Sequence, residues 1–329
     1  SQTKINEDTI NPLLEDVKYF GNQLLEESQK ELGQFYPEDK KGYIPVAYIW
    51  TRTIVCTNNN CKAEIPLAGQ TWLSKKSNKK IAYKFIENGN RIDIEIKEGS
   101  KIDFDPSEGT ISRSNVNCPC CNTGIAAKEL RTIMKEGKTG HRMIAVVLVH
   151  PGRSGKTYRL ATSDDIAIYN KSIEALSIIR NKLFNEWGID PVPTEEIPLM
   201  SGTFNVPLYG LSRWCDLYNH RQLLCILTLI KNNHHLSNKI INLHGIEYAT
   251  AISTYLSIMI DKISSSSNTL SRWQAVGEKI ADVFGRQALP MVWDYPEVNV
   301  LFGKSRSFTE MFKDVLNVIE KYSSITIPA

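Results

Sequence analysis

The chain has 329 residues, 42% of them hydrophobic, enough for two domains or one large one with an insertion and too apolar to be mostly disordered. A formal charge of +3 does not announce nucleic acid, so any DNA surface must be a local patch. The longest apolar stretches, Met143–Val149 and Leu223–Ile230, are too short to span a bilayer, which excludes a membrane protein of that kind. Ser1–Asn6 is polar and lacks both an initiator methionine and an apolar leader; a cytoplasmic chain cut from something longer is expected.

Glu7–Phe35 reads as a helix, with apolar residues at Leu13, Leu14, Val17, Phe20, Leu24 and Leu25 and Pro37 after its end. From Ile44 to Ala161 the texture is that of strands. Val46–Val55 alternates and is rich in β-branched and aromatic residues, and Ile81–Ile86 and Ile92–Ile96 flank the turn-forming Asn88-Gly89-Asn90, which predicts a hairpin. Met143–Val149 reads as a buried strand that passes through a turn at Pro151-Gly152 into Thr157–Leu160. Helical spacing follows over Ile166–Trp187, ending near Gly188, and Asp190–Asn205 is a proline-rich connection. Asn219 is placed to cap a helix over His220–Lys231, and Ile246–Ile263 carries Tyr255, Met259 and Ile263 on one stripe. Ser264–Asn268 reads as a polar loop, Leu270–Phe284 as a helix stopped by Gly285, and Phe308–Tyr322 as the last helix. The expectation is an α+β chain: an N-terminal helix within 1–43, a β-rich module over 44–161, and a mainly helical region over 162–329.

Seven cysteines without a secretory signal point to thiols or metal ligands rather than disulfides. Cys56 and Cys61 bracket four residues, and Cys118 and Cys121 bracket two. Two short cysteine loops on separate β turns offer two thiolates each, and four thiolates close a tetrahedron around Zn2+ with no open position, so the site is structural. The 56 residues between the pairs leave room for the predicted hairpin as an arm. Buried free thiols and an iron–sulfur cluster are the alternatives, and Cys120 competes with its neighbours for a place. Cys215 and Cys225 fall in the helical half and read as core.

Candidates for DNA contact are Lys75, Lys76, Lys79 and Lys80 beside Trp72, and the pairs Arg213-Trp214 and Arg272-Trp273, where arginine can fork onto phosphate and tryptophan can stack on a base. A solvated turn and core packing are the competing readings. His234, His235 and His244 lack a carboxylate or cysteine partner at useful spacing and read as surface or packing residues. Pro151-Gly-Arg-Ser-Gly-Lys-Thr157 imitates a phosphate loop, but His150 stands where glycine is needed and a strand follows instead of a helix. No dinucleotide loop occurs, and Asp105-Pro106 and Asp190-Pro191 do not continue into the tetrapeptide with which amino methyltransferases hold a base.

Several strings taken together resemble the zinc-ribbon-containing adenine-specific DNA methylases: Glu15-Asp-Val-Lys-Tyr-Phe-Gly21, Tyr36-Pro37, Pro45-Val-Ala-Tyr-Ile-Trp-Thr-Arg-Thr53, and Cys56–Leu67 with Ala63-Glu-Ile-Pro66. Further on come Trp72-Leu-Ser-Lys-Lys76, Tyr209-Gly-Leu-Ser-Arg-Trp214, Arg221-Gln-Leu223, Arg272-Trp273, and Phe284-Gly-Arg-Gln-Ala-Leu-Pro-Met-Val-Trp-Asp294 with Glu297 and Asn299. In that family the cofactor loop lies before the matching stretch and an Asp-Pro-Pro-Tyr tetrapeptide after it. The resemblance therefore implies the target-recognition insert of a class I, Rossmann-like methyltransferase. It also implies S-adenosylmethionine in the parent, adenine in DNA as the acceptor, and packing of this chain on the rest of the enzyme, as in restriction-modification systems. It places Arg213, Trp214, Arg286, Gln287, Trp293 and Asp294 as candidates near the target pocket, and Arg221, Arg286 and Gln287 join the candidates for DNA contact. The alternative is a non-enzymatic zinc-ribbon adaptor that docks DNA or a defence-system protein.

Overall fold

Asn11 and Pro12 open the first helix: the Asn11 side chain accepts the Leu13 amide at 3.0 Å, and proline at the first position lacks an amide that would go unused. The computed structural model describes residues 11–200, 202–285, 287–303 and 305–323; residues 7–10 of the expected helix and Arg286 lie outside these. In chain order the elements are α1 (Pro12–Leu32), β1 (Ile44–Val55), β2 (Glu64–Leu67), β3 (Trp72–Lys76), β4 (Lys79–Asn88), β5 (Arg91–Glu98), β6 (Ile111–Ser112), β7 (Asn115–Asn117), β8 (Gly124–Ile125), α2 (Ala127–Lys135), β9 (Thr139–Val149) and β10 (Lys156–Leu160). They continue with α3 (Ser163–Trp187), α4 (His220–His244), α5 (Ile246–Ser266), β11 (Arg272–Gln274), β12 (Lys279–Ala281), β13 (Asp294–Val298) and α6 (Phe308–Ser323).

The class is α+β. The main sheet is antiparallel, in the order β10-β9-β1-β13, with β2 pairing the far end of β1. Every position of β1 except Val55 is buried, so this central strand is covered on both faces, where the alternation read over Val46–Val55 leads one to expect one buried face. β13 lies at the edge, where Pro296 costs no ladder bond. The strands of 44–161 thus share their sheet with a strand from 294–298. Helices α3 and α4 reach the sheet through Tyr169, whose ring lies 4.7 Å from Trp50, and Arg221, which sits over Tyr48. Helices α1, α5 and α6 pack behind them, and α1 and α6 meet closely at Gly21, where a Cβ would fall 2.1 Å from the Phe312 ring.

Helix α3 begins with a capping box between Thr162 and Asp165 and ends on Gly188 in the left-handed conformation. Asn219 caps α4, which continues to His244 rather than stopping at Lys231; α5 likewise absorbs Ser264–Ser266. The expected helix over 270–284 is instead the hairpin β11–β12. Trp273 points inward there, with Nε1 donating to the Leu73 carbonyl at 2.7 Å, while Arg272 and Gln274 point out, the period-2 alternation of a strand.

The hairpin β4–β5 forms at Gly89 as predicted, but it does not project as an arm. Arg142 donates to the Ile92 carbonyl, and Lys79 to the Lys156 carbonyl, so the β3-β4-β5 sheet lies back along β9 and β10. Asp294, at the start of β13, accepts the Gly69 amide, and burial raises its carboxyl to about 6. A carboxyl raised on folding binds its proton more tightly in the folded chain. Stability therefore falls as pH rises from the ordinary aspartate value through that window. Asp294→Asn is expected to stabilise by about 3 kcal/mol at pH 7 and by almost nothing below about pH 4, read by urea unfolding at both pH values. An equal effect at both would show that ionisation is not the cost.

Candidate metal centre and basic surface

Two hairpin turns of the same construction face each other. In the first, between β1 and β2, the Cys56 amide donates to the Ala63 carbonyl at 2.8 Å, and the Cys61 and Lys62 amides donate to Asn58. In the second, between β7 and β8, the Cys118 amide donates to the Thr123 carbonyl at 3.0 Å, and the Asn122 amide to Cys118. The residue after the second cysteine of each turn, Lys62 at φ 53° and Asn122 at φ 56°, takes the left-handed conformation that reverses the chain. Each turn thereby presents two sulfurs to the same side.

The four Sγ atoms lie within 4.8 Å of one another, with Cys56–Cys121 at 3.6 Å and Cys61–Cys118 at 3.8 Å. A tetrahedron with Zn–S bonds of about 2.3 Å has edges of about 3.8 Å, so two edges already match and the others need shorten by no more than about 1 Å to hold one zinc ion. Burial pushes the Cys56 thiol up to about 12, whereas the Thr123 hydroxyl and amide hold Cys121 down at about 6. A cation at the centre supplies the opposite charge that lets buried sulfurs ionise together. Cys120 is not part of the set: its Sγ faces the Arg91 carbonyl at 3.6 Å, at the tip of β4–β5. Among the described residues no other group of cysteine, histidine and acidic side chains converges in this way. The cysteines belong to a small core of their own, with Ile54, Ile65, Val116, Leu130 and Met134. Tyr209, from the connection before α4, closes it, its hydroxyl 2.8 Å from Ser114 Oγ.

The predicted basic cluster sits at the opposite end of the β3-β4-β5 sheet. Lys75 and Lys80 are exposed, and Lys75 Nζ lies 5.4 Å from the Trp72 ring centre. Lys76 and Lys79 turn inward onto Glu278, at 2.5 and 3.0 Å. Burial favours the neutral acid at Glu278, but these lysines and the Tyr158 hydroxyl overcome it and hold the carboxyl down to about 2. Glu278 comes from the β11–β12 hairpin, joined to β3 by the Lys75 amide bonded to the Ala275 carbonyl at 3.0 Å. That junction sets Arg272 and Lys279, both exposed, on the hairpin next to Lys75 and Lys80. Glu278 was not singled out in the sequence; its turn, Val276-Gly277, lay inside a stretch read as helix.

The other candidates disperse. Arg221 is fully buried and paired with an equally buried Glu297, so it has no surface to offer a phosphate, contrary to expectation. Trp273 is likewise buried and bonded, which removes it as a free stacking platform. Arg213 is exposed, while Trp214 is half-buried against Phe204. Gln287 is exposed and Arg286 lies outside the described residues. His234 packs on Trp187, His235 lies 3.7 Å from Glu186, and His244 packs on Tyr248, as surface and packing histidines would. Cys225 is buried against the Tyr36 hydroxyl at 3.2 Å, and Cys215 is half-buried. Residues 151–155 form the turn between β9 and β10, so a strand follows the phosphate-loop imitation. No helix among the described residues is long and apolar enough to cross a membrane. Scans against family models, curated proteins and solved structures found no match to the chain.

Proposed function

We propose that this chain is a zinc-anchored, DNA-binding target-recognition segment of an S-adenosylmethionine-dependent adenine methyltransferase, with its zinc site built as a ribbon-like insert. The observation that carries the reading is the four-cysteine cluster of tetrahedral dimensions, tied by Cys120 and Arg91 to the sheet whose other end bears the lysines. The resemblance of the sequence strings, in their order, to the methylase family is what favours that enzyme class. Zinc bound by Cys56, Cys61, Cys118 and Cys121 would supply only a cross-link between two turns. The chain's own residues then do the binding: Lys75, Lys80, Arg272 and Lys279 meet backbone phosphates, and Glu278 holds Lys76 and Lys79 so that their hairpins stay side by side. The chain carries no glycine-rich cofactor loop and no Asp-Pro-Pro-Tyr tetrapeptide, so no step of methyl transfer is assigned to it.

Duplex DNA binding by the purified chain tests the reading. Each lost phosphate contact lowers the slope of log K against log salt by about 0.9. The triple variant Lys75→Ala/Lys80→Ala/Arg272→Ala is therefore expected to lose about 2–3 units of slope and on the order of tenfold in affinity at moderate salt. Binding of wild-type strength and slope in that variant would move the interface elsewhere. The enzyme class is tested separately by the gene: a cofactor loop encoded upstream and the tetrapeptide downstream support it, and stop codons in their place support the adaptor reading.

A further inference from the structure

Behind Glu278 lies a cleft of about 600 Å³, within the range of small-molecule sites. Three segments distant in sequence form most of it, the β9–β10 turn, the β11–β12 hairpin, and Leu301–Gly303 with Ser305 and Thr309 at the start of α6; Gln29, Val46, Ala47 and Lys76 complete the lining. One side is apolar, from Val46, Trp273, Ile280, Leu301 and a partly exposed Phe302. The other is cationic, from Lys76, Arg153 and Lys156. Glu278 is the one acidic residue in the lining, and both of its oxygens are taken: Lys76 holds Oε2, while Lys79 and the Tyr158 hydroxyl hold Oε1. Lys156 Nζ donates only to the Glu278 backbone carbonyl, at 2.7 Å, and Arg153 to the Tyr43 hydroxyl, at 3.2 Å. Neither forms an ion pair with a carboxylate among the described residues, although Glu278 and Glu310 act on Lys156 through space; Lys76, Arg153 and Lys156 outnumber Glu278 in the lining, which leaves it net positive beside an apolar, aromatic wall.

We propose that this cleft binds a mononucleotide unit, its phosphate on Arg153 and Lys156 and its ring against Phe302 and Ile280. The guanidinium offers the planar fork that matches a phosphate, and Ser154, Ser305 and Thr309 at the rim supply hydroxyls for the sugar and ring heteroatoms. Gly155, at φ +91°, lets the turn close tightly before Lys156. The segment that imitates a phosphate loop in sequence thus meets an anion through side chains of a hairpin turn rather than through a helix N-terminus. This goes beyond the DNA surface described above, because a free nucleotide tests it without any duplex and without the outer lysines.

Isothermal titration of the intact, zinc-loaded chain with AMP is the experiment, with adenosine and inorganic phosphate as separate probes. The expected result is one AMP per chain, weakened at least about tenfold by Arg153→Ala and by Phe302→Ala, with either half-ligand binding far more weakly than AMP. Both side chains are exposed, so these variants should fold as the parent does, which circular dichroism checks. No binding at millimolar AMP, binding unchanged in both variants, or phosphate binding as well as AMP would each overturn the proposal. A single-stranded pentanucleotide that competes with AMP assigns the nucleotide to a strand, and one that does not assigns it to the free pool; either result upholds the site. Because Lys75, Lys80 and Arg272 take no part, loss of the DNA surface and loss of this cleft are separable.

Discussion

Replacing Cys118 by serine is expected to strip the metal from the chain and to unfold the small cysteine core while leaving the helices in place. Cys118 is fully buried and paired across the cluster with Cys61, so no water can take its position. The apparent free energy of a structural zinc–thiolate site is roughly 10–16 kcal/mol, and in a small module most of it is folding free energy. The core it supports is thin: α2 buries only Leu130 and Met134 in it, with Ile133 packed at its edge, and β6, β7 and β8 are each two or three residues long. Metal content should fall from about one zinc per chain to near zero, and Cys56→Ser should behave alike. Hydrogen exchange should speed up across 56–67 and 110–135 and stay slow in α3–α5. Cys120→Ser, whose sulfur lies outside the group of four and meets the Arg91 carbonyl, should keep its zinc. A Cys118→Ser protein with full metal and unchanged exchange would remove the site.

Arg221→Met is expected to cost about 3–5 kcal/mol, the largest loss foreseen for any single change outside the cysteines. The guanidinium and the Glu297 carboxylate are both 0% exposed. Arg221 Nε donates to Glu297, Nη1 donates to the Phe35 carbonyl at 2.9 Å, and the ring faces of Tyr48 and Tyr36 cover the cation at 4.1 and 4.8 Å. Trp50 Nε1 and Asn219 Nδ2 complete the carboxylate's partners, at 2.8 and 2.9 Å. This one ion pair therefore ties β1, β13, the end of α1 and the start of α4 together. Removing the cation leaves a carboxylate in the core with two neutral donors, which is the costly way to break such a pair. Denaturant unfolding gives the size of the loss, and less than about 1 kcal/mol would contradict the account. The folded fraction should bind DNA with the wild-type salt slope, since no part of Arg221 reaches the surface. A slope that falls by about one unit would restore Arg221 as a phosphate contact.

What could be read in the sequence was local. The two cysteine spacings, the Asn88-Gly89-Asn90 turn, the Gly188 stop of α3 and the Asn219 cap of α4 are each decided by a few neighbouring residues, and each lies where expected. What was misread depends on distant partners. Leu270, Trp273 and Ile280 are spaced three and seven apart, which suits a helix as well as a strand; β3 settles the matter by accepting Trp273. The role of Arg221 was misjudged because an Arg beside a predicted helix start looks exposed until Glu297, 76 residues later, is brought beside it. The lysine cluster was visible, but not that half of it is held by Glu278. The convergence of the four cysteines was legible for the opposite reason: it is set by particular atoms at fixed short spacings, and sequence records those directly.

X-ray absorption at the zinc edge of the purified chain tests the central claim most directly. A first shell of four sulfurs at about 2.3 Å, with no nitrogen or oxygen, is the result predicted for Cys56, Cys61, Cys118 and Cys121 around one ion. A shell containing imidazole or water, or a protein that purifies without zinc and remains folded, would contradict it.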